Sequence, residues 1–436
     1  MDQLQIYKGS AHEYESERNM RVFKFGGASV KDANGIRNMT KIIQSTQPEP
    51  LFIVISAIGK TTNALEAILK EYYSKTGRAE VLIEELKHAH FTIARDLLPA
   101  ENPVFNHLED LFAELYWAIE EEQIKAFDYE YDQIVSIGEM LSTRIVAAFL
   151  MDQNIPVTWI DARDLIRTDD TFREGNVDWE ITEDQIKSAI SNQTGTQLFL
   201  TQGFIGGTSE NFTTTLGREG SDYTAAILAH AIDATEVVIW KDVPGVLNAN
   251  PAEFPEAVLI HELSFYDAIE LSYYGATVIH PKTIKPLQNK NIPLFVKSFL
   301  NPEQPGTRIY GDLVKQPIPT YIFKKEQLLL SISPRDFSFI VEENIRDLFD
   351  EFTKLRVHVN LMQNSALNFS VCLSIDSNKI ESLIDLLNRK FKVKYNQGCT
   401  LVTIRNYTDE LISRFTQNKL ILIEQRSRQN VQLVIK

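Results

Sequence analysis

The residues best placed to do chemistry fall within one stretch, Thr201–His230. Gly203, Gly206, Gly207, Gly217 and Gly220 punctuate it, and Arg218, Ser221 and Asp222 stand at its centre. The apolar run Gln197–Leu200 before it reads as a buried strand. Ala225–Ala229 after it reads as a helix, with Ser221 as N-cap and Asp222 in the first turn. A helix start presents unpaired N–H groups and partial positive charge, so it draws anions. Glycines let backbone approach a ligand closely. The planar guanidinium of Arg218 can grip a carboxylate or phosphate through two bonds, each contributing about 1.5–3 kcal/mol in a dry pocket. Strand, glycine loop, Arg, cap and Asp in this order describe an anion site.

Other segments supply partners for it. Lys24 lies in the strand Arg21–Phe25, beside Gly26 and Gly27, a layout suited to cradling phosphate. Ser29 is expected to cap the helix that follows, with Asp32 three residues on. A second strand, Leu51–Ile55, leads to Ser56 and Thr62 as polar contacts. The Gly59-Lys60-Thr61 triplet is not a P-loop, because Val54 stands where that motif needs glycine. Glu139 sits in the apolar, helix-like run Ile134–Ser142, where it either holds an ammonium group or is a solvated helix residue. The strand Glu236–Trp240 ends in a turn starting at Lys241 and Asp242. No histidine suits a general base, and His280 reads as structural.

Strands and helices alternate from 21 to 310, which predicts a mainly parallel α/β sheet covered on both faces. Ligands of such sheets bind beyond the carboxyl ends of the strands, where these candidates fall. Residues 64–127 read as a helical insertion whose stripe of Leu108, Leu111, Phe112 and Leu115 is core. Residues 1–20 read as a flexible extension, and Asn301–Thr320, with four prolines and two glycines, as a linker. Beyond it the order βαββαβ over 321–398 is a ferredoxin-like α+β unit, followed by a shortened second unit over 399–436. A net charge of −15 argues against nucleic acid or an anionic membrane as main partner. Two cysteines, Cys372 and Cys399, are too few for a disulfide framework or a Cys-rich metal site. The apolar runs, such as Leu51–Ile58, are too short to span a bilayer, and the N-terminus lacks a signal-peptide core. A cytoplasmic protein is expected.

The chain resembles the aspartate kinases, of the amino-acid kinase fold with C-terminal ACT regulatory domains. The resemblance is carried by Lys24–Val30, Ser136–Thr143, Thr214–Ala225, Lys241–Gly245 and Tyr274–Pro281. It is close over 20–310 and looser in the C-terminal third. It implies a three-layer αβα sandwich and transfer of the ATP γ-phosphoryl to the β-carboxylate of L-aspartate. That reaction gives 4-phospho-L-aspartate, the first step towards lysine, threonine and methionine. By matched position, Lys24 and Asp222 would be catalytic, and Thr62, Glu139, Phe204, Arg218 and Ser221 would line the substrate pocket. Lys24, Gly26, Gly27, Ser56, Lys241, Asp242 and Leu247 would bind nucleotide. The resemblance implies Mg²⁺ carried mainly by the ATP phosphates, with no dedicated protein ligand set. It further implies lysine or threonine as effector at the ACT region, and a homodimer or higher homo-oligomer formed through strand edges.

The departures are specific. Ala28 stands where the family usually has Thr, and Glu219 where it has Gly. Thr277 replaces a phosphate-contacting Lys, Leu247 an aromatic, Ala252 an Arg, and Asn360 an effector-site Asp. Losing one Lys–phosphate contact would weaken ATP binding by about 1.5–3 kcal/mol unless another cation, such as Lys282, substitutes. Two other functions remain open. One is a catalytically impaired paralogue that binds an amino acid as a regulatory subunit. The other is a kinase for glutamate, carbamate or a nucleoside monophosphate, against which the Gly217–Asp222 motif and the ACT-like tail argue.

Overall fold

The computed structural model describes residues 20–436 except 121–125, 194–196, 277–278, 312–317, 337 and 356. Of the expected extension over 1–20, residues 1–19 lie outside the described residues, as do Thr277 and part of the linker, whereas Met20 is buried and accepts from Thr235 N–H (3.0 Å). The chain forms two compact units. The first comprises residues up to Val246, Leu259–Ser272 and Thr277–Val314; the second comprises Leu247–Val258, Tyr273–Ala276 and Lys315–Lys436.

In the first unit β1 (Arg21–Phe25), α1 (Ala33–Thr46) and β2 (Leu51–Ile55) lead to five helices. These are α2 (Thr61–Ser74), α3 (Ala79–Leu97), α4 (Val104–Glu120), α5 (Phe127–Val135) and α6 (Ile137–Asp152). Then come β3 (Thr158–Trp159), α7 (Ala162–Leu165), α8 (Trp179–Ser191), β4 (Leu198–Gln202) and the small hairpin β5 (Ile205–Gly207) and β6 (Thr213–Thr215). The unit continues with α9 (Gly220–Ala231), β7 (Glu236–Lys241), β8 (Glu262–Leu263), α10 (Phe265–Tyr274), α11 (Pro281–Lys290), β9 (Leu294–Ser298) and β10 (Thr307–Ile309). The sheet order is β3-β4-β2-β1-β7-β9-β10-β8, parallel throughout except for the antiparallel β9–β10 pair. Alternation sorts its side chains. Phe23, Phe25, Leu51, Ile53, Ile55, Leu198 and Leu200 face a core shared with α1 to α6. Lys24, of opposite parity, turns to the face that carries α9. The stretch α5–α6 is long and apolar enough to cross a membrane, contrary to the expectation of short runs only, but most of it is buried within the protein.

The second unit is a six-stranded antiparallel sheet, ordered β12-β13-β11-β14-β16-β15. Its elements are β11 (Thr320–Pro334), α12 (Glu342–Lys354), β12 (His358–Asn364), β13 (Phe369–Ser374), α13 (Ile380–Asn388), β14 (Phe391–Arg405), α14 (Asp409–Thr416), β15 (Ile421–Arg426) and β16 (Asn430–Ile435). The 15-residue strands β11 and β14 pair along their length, with register shifts between Lys324 and Leu329. The expected division at 398/399 therefore falls inside one continuous strand. One apolar cluster, including Leu328, Leu330, Phe352, Phe369 and Leu383, lies under α12 and α13. A second unites Tyr321, Val402, Ile412, Phe415 and Leu433 with Phe254 from the segment Leu247–Val258.

Candidate active site

The loops that follow β1, β2, β4 and β7 converge, as expected for the carboxyl ends of parallel strands. Asp222, in the first turn of α9, is only 2% exposed. Its Oδ1 is 2.7 Å from the Lys24 ammonium and its Oδ2 is 3.2 Å from that of Lys241. One carboxylate thus bridges cations from two neighbouring strands. Burial alone would raise its pKa, but the charges of Lys24 and then Lys241 outweigh burial and hold the carboxyl below its usual range.

Close backbone approach builds the rest. Gly59 N–H donates to Gly27 O (3.0 Å), and a Cβ on Gly27 would lie 2.6 Å from Ala57 O. Ser56 N–H donates to Phe25 O (3.1 Å), joining the turns after β1 and β2. After β4, Phe204 takes a positive φ of 72°. Its N–H donates to Thr224 Oγ1 (3.0 Å), and its carbonyl accepts from Leu216 N–H (2.8 Å). Gly203 abuts Ser221, and a Cβ on Gly220 would meet the Phe204 ring at 2.6 Å. These contacts hold Phe204, Ser221 and Asp222 together. Ser221 is not the expected cap, however. The helix starts two residues earlier than that cap implies, at Gly220, behind Glu219 in left-handed geometry (φ 53°) with no side-chain cap bond. Ser29 is likewise displaced as cap by Asp32, which accepts from Gly35 N–H (2.8 Å).

Glu139, in the first turn of α6, is 3% exposed. Its Oε1 accepts from Ala57 N–H (3.3 Å), whereas the buried Oε2 has no hydrogen-bond partner among the described residues. Burial pushes its pKa up to about 8, against the Ala57 amide and the Lys24 charge. A carboxylate so placed can receive an ammonium group. Arg218 is exposed and makes no ion pair with the described residues. Thr62 is half-buried in the first turn of α2, and Asp242 is exposed in the turn after β7. Leu247 opens the segment that belongs to the second unit. Lys282 lines a groove of about 450 Å³ between α8, α9 and α11, together with Trp179, Tyr223, His230 and Lys285. His280 caps α11, its Nδ1 accepting from Lys282 N–H at 3.2 Å, a structural role as expected.

One acidic residue escaped the sequence reading, and another was given no role in it. Asp132, fully buried at the end of α5, accepts from Arg173 N–H (2.8 Å), Thr215 N–H (2.9 Å) and Thr215 Oγ1 (2.7 Å). It ties the loop before α8 to β6, just ahead of Gly217 and Arg218. Only its place seven residues before Glu139 could have marked it. Glu219 was noticed as a departure but given no role. Its Oε2 is buried without a hydrogen-bond partner among the described residues.

The Amino acid kinase family model matches residues 19–298. The chain is 29% identical over 395 residues to lysine-sensitive aspartokinase 3 of Escherichia coli (strain K12), covering 88% of this chain and 86% of that one. It is 27% identical to bifunctional aspartokinase/homoserine dehydrogenase 2 of Arabidopsis thaliana, covering 91% of this chain but only 44% of that longer protein. Among solved structures it is similar to E. coli aspartokinase III in complex with lysine and aspartate, with TM-score 0.82, 27% identity and 95% of each chain covered. The same enzyme with aspartate and ADP gives TM-score 0.81 and 26% identity, with 96% of each chain covered.

Proposed function

Since the chain belongs to the amino acid kinase family, we propose that it is an aspartate kinase, making 4-phospho-L-aspartate and ADP from L-aspartate and ATP. The observation that carries this reading is Glu139, a buried carboxylate with one oxygen unsatisfied that feels the charge of Lys24, the partner of Asp222. An acceptor that brings its own ammonium completes it. Arg218 then takes the α-carboxylate, and Thr62, Phe204 and Ser221 close round the side chain. The β-carboxylate, with a free pKa near ~3.9, is ionised at neutral pH and needs no general base. One of its oxygens attacks the γ-phosphorus while the bond from that phosphorus to the β,γ-bridging oxygen breaks, and no proton moves.

Catalysis of this kind is orientation and electrostatics. Lys24 and Lys241 turn part of their charge from Asp222 to the phosphates, and the first turn of α9 adds its N–H groups. Gly26, Gly27, Ser56 and Asp242 frame the phosphate end. Mg²⁺ carried in on ATP would neutralise phosphate charge.

The second unit is read as an ACT-type regulatory region that senses lysine or threonine. Asn360 there is already committed, accepting from Lys324 Nζ (2.7 Å) and donating to Gln327 Oε1 and Ser374 Oγ (both 2.7 Å). An effector at this point must exchange those bonds, and a melting temperature unmoved by either amino acid would remove the proposal. Edge strands β12 and β15 leave a homodimer or higher homo-oligomer as the expected assembly, to be checked by light scattering. Cytoplasmic placement belongs to the same proposal.

The test is Mg-ATP- and aspartate-dependent ADP release with hydroxylamine trapping of the acyl phosphate. Aspartyl hydroxamate from the wild type, and none from Arg218→Ala, supports the kinase. Aspartate binding without product would favour the impaired regulatory paralogue, which the sequence departures Thr277, Leu247 and Ala252 favour.

A further inference from the structure

Glu219 stands where a side chain is costly and a negative charge is unwelcome. Its φ of 53° is the left-handed region, which glycine adopts without strain. The side chain does not compensate by capping the helix. The Glu219 carbonyl, not its carboxylate, receives Asp222 N–H (3.0 Å) and Tyr223 N–H (3.2 Å). Its Oε2 is buried and lacks a hydrogen-bond partner among the described residues. The charges that act on the carboxylate are those of Lys241, Asp222, Lys24 and Arg218. It is therefore an unsatisfied acceptor in the field of the two lysines that the phosphoryl-transfer reading turns to the phosphates.

An unmet carboxylate there would repel a polyphosphate. A hard divalent cation reverses the sign of that interaction, taking the orphan oxygen on one side and phosphate oxygens on the other. Mg²⁺ is commonly held by one or two carboxylates together with substrate phosphates, keeping several waters.

Resting on the phosphoryl-transfer reading, we propose that Glu219 ligates, directly or through one water, the divalent ion that accompanies the nucleotide. It fixes that ion at the start of α9 instead of leaving it to the phosphates alone.

The experiment uses Mn²⁺ as the probe, with free and bound metal followed by electron paramagnetic resonance on the full chain. Wild type, Glu219→Gln and Glu219→Gly are compared with and without saturating ADP. The Mn²⁺ dissociation constant of the ADP complex is expected to rise roughly 10-fold or more in both variants. Without ADP all three should bind Mn²⁺ weakly and alike. Glu219→Gly should melt no lower than wild type, since it relieves the left-handed residue. Equal Mn²⁺ affinity in the three ADP complexes overturns the proposal, as does a loss in Glu219→Gly that Glu219→Gln does not share, which would mark a backbone effect. ADP binding is measured in the same samples. A wild-type chain that binds no ADP fails the phosphoryl-transfer reading and this one with it, whereas ADP binding with unaltered metal affinity fails this one alone.

Discussion

A carboxylate with one oxygen satisfied and the other bare is expensive in a protein interior, and Glu139 is such a group. With its pKa pushed up to about 8, it carries a proton in much of the free protein at neutral pH. An ammonium ligand favours the charged form, so aspartate binding should release a proton below pH 8. The KM for aspartate is then expected to fall as pH rises towards 8 and to level off above it. In Glu139→Gln, KM should rise about 10- to 100-fold, for a loss of about 1.5–3 kcal/mol, and its pH dependence through this range should flatten. A KM within twofold of wild type would remove Glu139 from the pocket. The same group has a stability signature. The folded state keeps a proton that the unfolded chain loses near the ordinary value of 4.5, so between there and about 8 the folded state binds more protons. Its contribution therefore declines as pH rises across that window. Glu139→Gln should gain melting temperature relative to wild type at pH 8, more than at pH 5. Asp222 runs the other way. With a depressed pKa, its contribution is present above the unfolded value and is lost as pH falls through the folded one.

At the scale of elements, the site depends on joints between loops. Asp132→Ala would leave two backbone N–H groups and one hydroxyl without their acceptor, costing about 3 kcal/mol or more in urea unfolding. It should also weaken aspartate binding through the Gly217–Arg218 turn, and unchanged stability would refute that account. Gly27→Ala drives a methyl against Ala57 O. It should cost about 1–3 kcal/mol and raise the KM for ATP, as kinetics with varied ATP would show. Much of this was legible in the sequence. Buried strands such as Leu51–Ile55 announce themselves by unbroken apolar runs, and the helix 342–354 by its stripe of Ile345, Leu348, Phe349 and Phe352. The caps were misplaced because Ser29 and Ser221 have the right chemistry, but backbone geometry selected Asp32 and the left-handed Glu219. Asp132 was invisible because its three donors come from residues 41 and 83 positions away. The full length of the strands β11 and β14 is not visible in the sequence, and the division expected at 398/399 cuts β14. Local pattern does not reveal that Thr320–Lys324, with its lysine and preceding prolines, continues the ladder of Gln327–Pro334 across an irregular step.

At the scale of the whole molecule, the order of the chain is not the order of the units. Between Val246 and Leu259 the chain leaves the parallel-sheet unit and places Phe254 in the core of the antiparallel one. Phe254 lies 5.1 Å from Tyr321, 5.0 Å from Phe323 and 5.7 Å from Phe415, measured between ring centroids. Glu253 pairs with Lys325 at 3.1 Å, and Glu256 pairs with Arg414. Phe254→Ala should therefore cost about 3–5 kcal/mol in the second unit, seen by calorimetry as an earlier transition. A coincident, unshifted melt would contradict it. The segment sets a rule for recombining such proteins. Exchanging everything after residue 310 for the matching part of a relative would leave a native Phe254 facing a cavity shaped for another sequence. A functional hybrid must carry Leu247–Val258 with its new tail, so this aromatic side chain makes two stretches, far apart in the gene, heritable as one piece.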